Sequence, residues 1–268
     1  MTSIDMITYP LSQHIIAFST ERECTEADAA YDGFNVTHYC GDAPEHVRAC
    51  RKQLCEQLDI PDTNLIVPHQ VHGVHIEEVT AQNLEAAFED TDALITRLPN
   101  VCIGVSTADC VPLLFHDTRT NAIGAAHAGW RGTVGRIGVL TLRAMCDAIG
   151  TQPADIQCAI GPSIGPEAFE VGQEVYDAFH EAGFPMGDIA SRHPQTQKWR
   201  IDLWRANVWQ LKQAGVPVPY IHVSGLCTYT HYSRFFSARR LGINSGRMFS
   251  GIVLLHHEIK GLQVLVEG

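Results

Sequence analysis

A chain of 268 residues with 45% apolar and 18% charged side chains can bury a substantial core, as one large domain or two small ones, and is too apolar for disorder. Its formal charge of −11 is spread along the chain without a basic run, which argues against a nucleic-acid partner and leaves room for a small anion held by a few local arginines. No apolar run has the length of a bilayer span, so no membrane partner is expected.

The sequence 42–45, Asp-Ala-Pro-Glu, reads as a capping box with proline in the first turn. It opens a helix on which Val47, Cys50, Leu54 and Leu58 follow helical spacing. Residues 64–67 and 74–79 are predicted strands on either side of a histidine-bearing segment. The short apolar runs 101–105 and 111–115 suit buried strands. Turn chemistry at 117–121 sends the chain back as a strand over 122–127. A helix is predicted over 134–149 with Ile137, Leu140, Ala144 and Ala148 on one face, then a strand over 156–160 and a rigid loop over 161–166. A further helix carries Val171, Val175, Ala178 and Phe179. Asp202 is the expected N-cap of another, with Trp204, Val208 and Leu211 inward and Gly215 at its end. Strands at 221–223, 251–255 and 262–266 complete the chain. Interleaved strands and helices with frequent hairpins point to one compact unit over 1–268, an α/β (α+β) layered sandwich of mixed sheets flanked by helices.

The nine cysteines are odd in number and form no CxxC; several sit on apolar helix faces or in apolar strands. Residues 1–18 lack a basic start followed by a long apolar stretch, so free thiols in a cytoplasmic protein are expected.

Asp109-Cys110 and the run His127-Ala128-Gly129-Trp130-Arg131-Gly132 lie at the two ends of one predicted hairpin. A cysteine at a strand end is placed to react, although a buried structural thiol is the commoner role. His127 leads into a helix start where Arg131 could hold a phosphate or carboxylate; a packed Trp130 with a solvated arginine is the plain alternative. His69, His72 and His75 recur every third residue in a stretch that Pro68 and Gly73 keep from being helical. An extended chain sends them to alternating sides, so one of the three is the economical ligand and spacing does not select it. With Cys110 and His127 it would make a three-ligand metal site, the catalytic arrangement in which a fourth position stays open. Arg239, Arg240 and Arg247 concentrate positive charge near Cys227-Thr228-Tyr229, as either an anion site or surface charge. The loop 161–166 is neither a P-loop nor a GxGxxG turn, so no nucleoside triphosphate or dinucleotide site is expected.

These segments resemble the YfiH family, also described as laccase-domain or multicopper polyphenol oxidoreductase-like proteins. The resemblance rests on His69-Gln70-Val71-His72-Gly73, Thr91-Asp92-Ala93-Leu94-Ile95-Thr96, Ala108-Asp109-Cys110-Val111-Pro112, the His127–Gly132 run and Gly161-Pro162-Ser163-Ile164. It continues through Phe169-Glu170-Val171-Gly172, Asp202-Leu203, Cys227-Thr228-Tyr229, Phe235-Phe236-Ser237, Arg239-Arg240 and Gly246-Arg247. It implies a single-domain layered α/β fold and zinc bound by His72, Cys110 and His127. It also implies phosphorolysis of adenosine, inosine, guanosine and methylthioadenosine, plus deamination of adenosine; bacterial members have also been named peptidoglycan editing factors. One stretch departs: the family's Arg-x-Gly-Gly-Val-Ser is here Arg22-Glu23-Cys24-Thr25-Glu26, so any contact made by those glycines, and substrate preference with it, can differ.

On this reading zinc supplies an activated water, Asp109 moves protons or supports a ligand, and Arg131 or the Arg239-Arg240 pair positions phosphate. Copper(II) could occupy the same site, giving a polyphenol oxidoreductase. The absence of any His-x-His argues against a four-copper laccase. A metal-free hydrolase with Cys110 activated by His127, and a non-enzymatic editing factor, complete the alternatives.

Overall fold

A computed structural model describes residues 3–255 of the chain, so the strand expected at 262–266 lies outside the described residues. In chain order the elements begin with β1 (Met6–Thr8), β2 (Ile15–Thr20), α1 (Pro44–Leu58), β3 (Leu65–Ile66), β4 (Ile76–Glu78), β5 (Ala93–Thr96), β6 (Cys102–Thr107), β7 (Val111–Asp117) and β8 (Ile123–Ala128). There follow α2 (Trp130–Val134), α3 (Ile137–Ile149), β9 (Ile156–Ile160), β10 (Glu170–Val171), α4 (Gln173–Glu181), α5 (Met186–Ile189), β11 (Ala190–Arg192) and β12 (Trp199–Ile201). The chain then forms α6 (Leu203–Gln213), β13 (Ile221–Val223), α7 (Ala238–Leu241) and β14 (Met248–Leu254).

Two large sheets carry the architecture: one of order β1-β2-β14-β6-β3, the other of order β13-β9-β7-β8-β5-β4. A small sheet, β10-β12-β11, stands apart from them. The β3/β6, β4/β5 and β13/β9 pairs are parallel and the others antiparallel, the mixed α/β arrangement expected. Alternation along β7 shows how the layers form. Leu114 joins Ile103, Val105, Ala159 and Ile252 in an apolar layer between the two large sheets. Its neighbours Leu113 and Phe115 point the other way, into a cluster with Ile137, Leu142, Met145 and Leu211 of α3 and α6. On the outer face of the five-stranded sheet, Phe18, Phe249 and Val253 meet Cys50, Leu54 and Leu58 of α1. Strands covered on both faces are apolar throughout, which is why their periodicity is hidden in the sequence.

Local readings differ from the structure in three places. Asp42 does not cap α1; Ala43 holds that position without a side-chain bond, because Asp42 accepts from Asn35 Nδ2 and pairs with His46 Nδ1. The helix expected over 134–149 is two helices, divided at Gly135 and Arg136, whose φ is +63°. The inward face of α3 is Ile137, Gly138, Thr141, Leu142 and Met145 rather than the face through Leu140 and Ala148. Gly138 explains the rotation, since a Cβ there would lie 2.8 Å from Leu113 Cδ1 and hold the helix off the sheet. Val171 belongs to β10, not to α4. Asp202 does cap α6, accepting from the Arg205 N–H at 2.9 Å. No helix among the described residues is long and apolar enough to cross a membrane. All nine cysteines are free.

Candidate metal centre

The β7–β8 hairpin brings the two halves of the centre together. Its register pairs Val111 with Ala128, so Cys110, just before β7, lies beside Gly129, just after β8. A Cβ on Gly129 would sit 3.0 Å from Cys110 Sγ and 3.2 Å from His72 Cδ2, so a larger residue would press on both side chains. His72 arrives from the loop between β3 and β4 with φ +62°, and Asp109 has φ +85°. Two non-glycine residues in left-handed backbone next to one cluster mark a site that the surrounding structure over-determines.

Ligand atoms of His72, Cys110 and His127 all lie within 4.8 Å of one another, the one such His/Cys/Asp/Glu cluster among the described residues. The two imidazoles meet edge to face with centroids 4.7 Å apart. Exposure is graded: His72 is exposed, Cys110 half-buried and His127 buried, which leaves one open side. His69 and His75 are elsewhere, paired with Glu89 at 2.7 Å and Glu77 at 2.9 Å on the surface. Of the three histidines, His72 is the one that lies in the cluster with Cys110 and His127.

Asp92, which no sequence rule singled out, organises the centre. Its fully buried carboxylate accepts from His127 Nδ1 at 2.7 Å and from the main-chain N–H of His72 at 3.0 Å, Gly73 at 2.7 Å and Val71 at 3.2 Å. One carboxylate therefore orients the His127 ring, leaving Nε2 as its free ligand atom, and clamps the loop that carries His72. Gln70 fixes the same loop to β6, donating to Ser106 O at 2.9 Å and accepting from Ser106 N at 2.7 Å.

Electrostatics follow from this packing. Burial alone would raise the Cys110 thiol, but the charges and hydrogen bonds of His127 and His72 outweigh it and bring it down to about 6. Burial would lower His127, yet the Cys110 sulfur and the Asp92 carboxylate push it up to about 9. Burial would likewise raise Asp92, but His127 and the backbone N–H groups hold it below the usual carboxylate range. Both shifts run in the direction that favours a thiolate beside an imidazolium.

The donors fit a metal ion. Two imidazoles and a thiolate are characteristic zinc ligands, and a tetrahedral zinc needs its donors about 3.3–3.6 Å apart, so donors within 4.8 Å of one another would close around it. The same set suits copper.

The centre opens into a cavity of about 550 Å³ also lined by Tyr39, Gln70, Thr107, Asp109, Trp130, Arg239, Ile243 and Arg247. Of the arginines singled out in the sequence for phosphate, Arg239 lines it and Arg131 and Arg240 do not. Arg131 lies over the Trp130 ring at 4.3 Å, and Arg240 sits on the rings of Tyr229 and Tyr232 at 4.4 and 4.7 Å. Asp109 accepts from Thr228 Oγ1 at 2.6 Å and from the Arg239 N–H at 2.7 Å, so its carboxylate anchors the start of α7. In the stretch that departs from the family pattern, Arg22 is buried, donates to the Ala27, Ala29, Asp32 and Tyr232 carbonyls and rests on the Phe236 ring.

Residues 16–255 match the family model described as multi-copper polyphenol oxidoreductase laccase. The chain is 43% identical over 248 residues to a purine nucleoside phosphorylase of Bacteroides thetaiotaomicron, covering 90% of this chain and 92% of that protein. It is 45% identical over 243 residues to adenosine deaminase RL5 of an unknown prokaryotic organism, covering 88% and 92%. The crystal structure of the hypothetical protein YfiH of Bacillus licheniformis superposes with a TM-score of 0.87 at 30% identity, covering 94% of this chain and 97% of that one.

Proposed function

The chain belongs to the multi-copper polyphenol oxidoreductase laccase family, the YfiH family of the sequence resemblance, and from that membership we propose that it is a zinc-dependent purine nucleoside phosphorylase that also deaminates adenosine. One observation carries the reading: a histidine–cysteine–histidine donor set on the wall of a cavity large enough for a nucleoside, with a guanidinium in the same cavity. The names of the relatives support the substrate class, purine nucleosides with phosphate as second substrate; methylthioadenosine is added by the sequence resemblance alone.

Zinc, when bound, would supply a Lewis acid with an open position, able to lower the pKa of water to about 7. The residues of this chain do the rest. His72, Cys110 and His127 hold the ion, and Asp92 keeps His127 in the ligating tautomer. Trp130 and Ile243 offer apolar surface to a base. In deamination a water oxygen bonds to purine C6 and the C6–N6 bond breaks; one water proton leaves with the amino group as ammonia and the other ends on N1. In phosphorolysis a phosphate oxygen bonds to ribose C1′ while the C1′–N9 bond breaks; N9 keeps the electron pair and the purine takes up a proton. Asp109, bonded to the Arg239 backbone, positions that arginine toward the cavity.

A metal-defined assay tests this. The zinc form should convert inosine to hypoxanthine and ribose 1-phosphate only with phosphate, and adenosine to inosine without it. Copper-dependent oxidation of phenols with no nucleoside turnover by the zinc form would overturn it. The Cys110–His127–Asp92 alignment also suits a metal-free cysteine hydrolase, a nucleophile, base and orienting carboxylate in sequence. Turnover that persists after chelation would favour that second reading.

A further inference from the structure

The cavity carries positive charge that the metal centre does not use. Arg239 and Arg247 both line it, and neither forms an ion pair among the described residues. Arg247 is half-buried and braced by its own turn: Nη1 donates to the carbonyls of Ser245 at 2.6 Å and Gly246 at 2.9 Å, and Nη2 to that of Ile243 at 2.8 Å. Arg239 donates from Nη1 to Glu170 O at 3.1 Å and lies over the Phe169 ring. Both guanidinium groups are thus fixed by neutral partners, which leaves each without a carboxylate in contact among the described residues. Among the described residues the one carboxylate lining the cavity is Asp109, and both its oxygens are engaged by Thr228 and the Arg239 N–H.

A second observation points to a ligand. Thr107 is 1% exposed, lines the same cavity, and its Oγ1 has no hydrogen-bond partner among the described residues. A buried unpaired hydroxyl is costly unless something meets it. Thr107 pairs with Met248 across β6 and β14, which sets it next to Arg247 at one end of the five-stranded sheet. His72, Cys110 and His127 belong instead to the rim of the six-stranded sheet and its loops.

The geometry points to a tetrahedral oxyanion site formed by Arg247, Arg239 and Thr107, separate from the metal ligands, that takes a phosphate group. It rests on the phosphorylase reading for its expected occupant, inorganic phosphate; the 5′-phosphate of a nucleotide presents the same chemistry. Two guanidinium forks and a hydroxyl donor match the several acceptor oxygens of a phosphate dianion.

The test uses zinc-loaded full-length protein, with inorganic phosphate and inosine 5′-monophosphate as separate probes. Phosphate is titrated against wild type, Arg247→Gln, Arg247→Lys, Arg239→Gln and Thr107→Val and followed by phosphorus NMR, and inosine phosphorolysis is measured across phosphate concentration. Each glutamine variant should weaken phosphate binding and raise KM for phosphate at least tenfold, with KM for inosine moving less than threefold. Arg247→Lys should recover part of the loss, and Thr107→Val should raise KM for phosphate a few-fold while leaving the circular dichroism spectrum unchanged. If no nucleoside is cleaved, the phosphorylase reading fails on its own, and arginine-dependent binding of either probe still supports the oxyanion site. Arginine-dependent binding of the nucleotide without binding of free phosphate would assign it to the 5′-phosphate. Binding of neither probe, or binding unchanged in the arginine and threonine variants, would overturn it.

Discussion

The two walls of the cavity are built in opposite ways. The metal wall stands at the end of the β7–β8 hairpin, with His127 and Asp92 buried and four hydrogen bonds converging on one carboxylate. The facing segment, 238–247, has a single four-residue helix, exposed Arg239 and Ile243, and a few main-chain ties such as Gly246 N–H to Ala30 O. The difference separates two requirements. Holding an ion demands donors fixed to fractions of an ångström, which buried strands provide; accommodating different nucleosides tolerates a looser wall.

The comparison breaks if the metal wall proves dispensable. Cys110→Ala should leave protein purified without added metal free of zinc by elemental analysis and lower both nucleoside reactions by about a thousandfold or more, since three ligands become two. Metal content unchanged in that variant would sink the ligand set. Asp92→Asn tests the next layer out. It keeps shape but loses the charge that orients His127, so zinc affinity, measured by chelator competition, should fall about 10- to 100-fold. Stability should fall too, by about 3 kcal/mol, because His127 is then left without its buried partner. The sign of the pH dependence follows from the Asp92 shift: its folded pKa is depressed, so its contribution is full above the unfolded carboxylate range and is lost as pH falls through the folded value. The gap between wild type and Asp92→Asn should therefore close in acid.

The metal wall was far more legible in the sequence than its counterpart. Cys110 and His127 flank a hairpin whose turn chemistry at 117–121 was plain, so their approach follows from a local register. His72 needed the fold, because three equally spaced histidines look alike until Asp92 fixes one loop conformation. Asp92 stands in the sequence only within the Thr91–Thr96 segment of the resemblance, with no role attached: it bonds His127 35 residues away, across the β5–β8 pairing, and no local period encodes that contact. Arg247 stands out in the sequence as part of a local cluster of positive charge, but its place on the cavity needs the fold, since β14 returns there to pair with β2 and β6. The interior strands were legible as apolar runs, whereas β1, β2 and the small third sheet, with less distinctive sequence, were not. The rotated face of α3 was unreadable because glycine contact with Leu113, rather than apolar periodicity, decides it.

A smaller effect sharpens the electrostatic side of the comparison. In metal-free protein, alkylation of Cys110 should follow a titration with its midpoint near 6, well below the ordinary thiol value of 9, because His127 and His72 stabilise the thiolate. Rates should rise only modestly over a free cysteine at neutral pH, since a less basic thiolate is also a weaker nucleophile. Zinc should protect the residue. Cys158, buried and pushed upward, serves as the unreactive internal standard. A midpoint near 9 for Cys110 would mean that the imidazoles do not act on it.

The smallest expected effect concerns Ile243, the residue that most clearly belongs to the looser wall. It is 76% exposed although it lines the cavity, so its apolar surface contributes little to folding and is available to a bound base. Ile243→Ser should leave stability within about 0.5 kcal/mol, as for other surface positions, and Tm within about 2 °C. Covering roughly 50 Å² of that side chain on binding would contribute about 1.2 kcal/mol, so KM for inosine and adenosine should rise some five- to tenfold, with kcat little changed. Calorimetry and steady-state kinetics on one preparation decide it. A fall in Tm with KM unchanged would show Ile243 to be structural, and the facing segment would then be part of the scaffold rather than the adaptable side of the site.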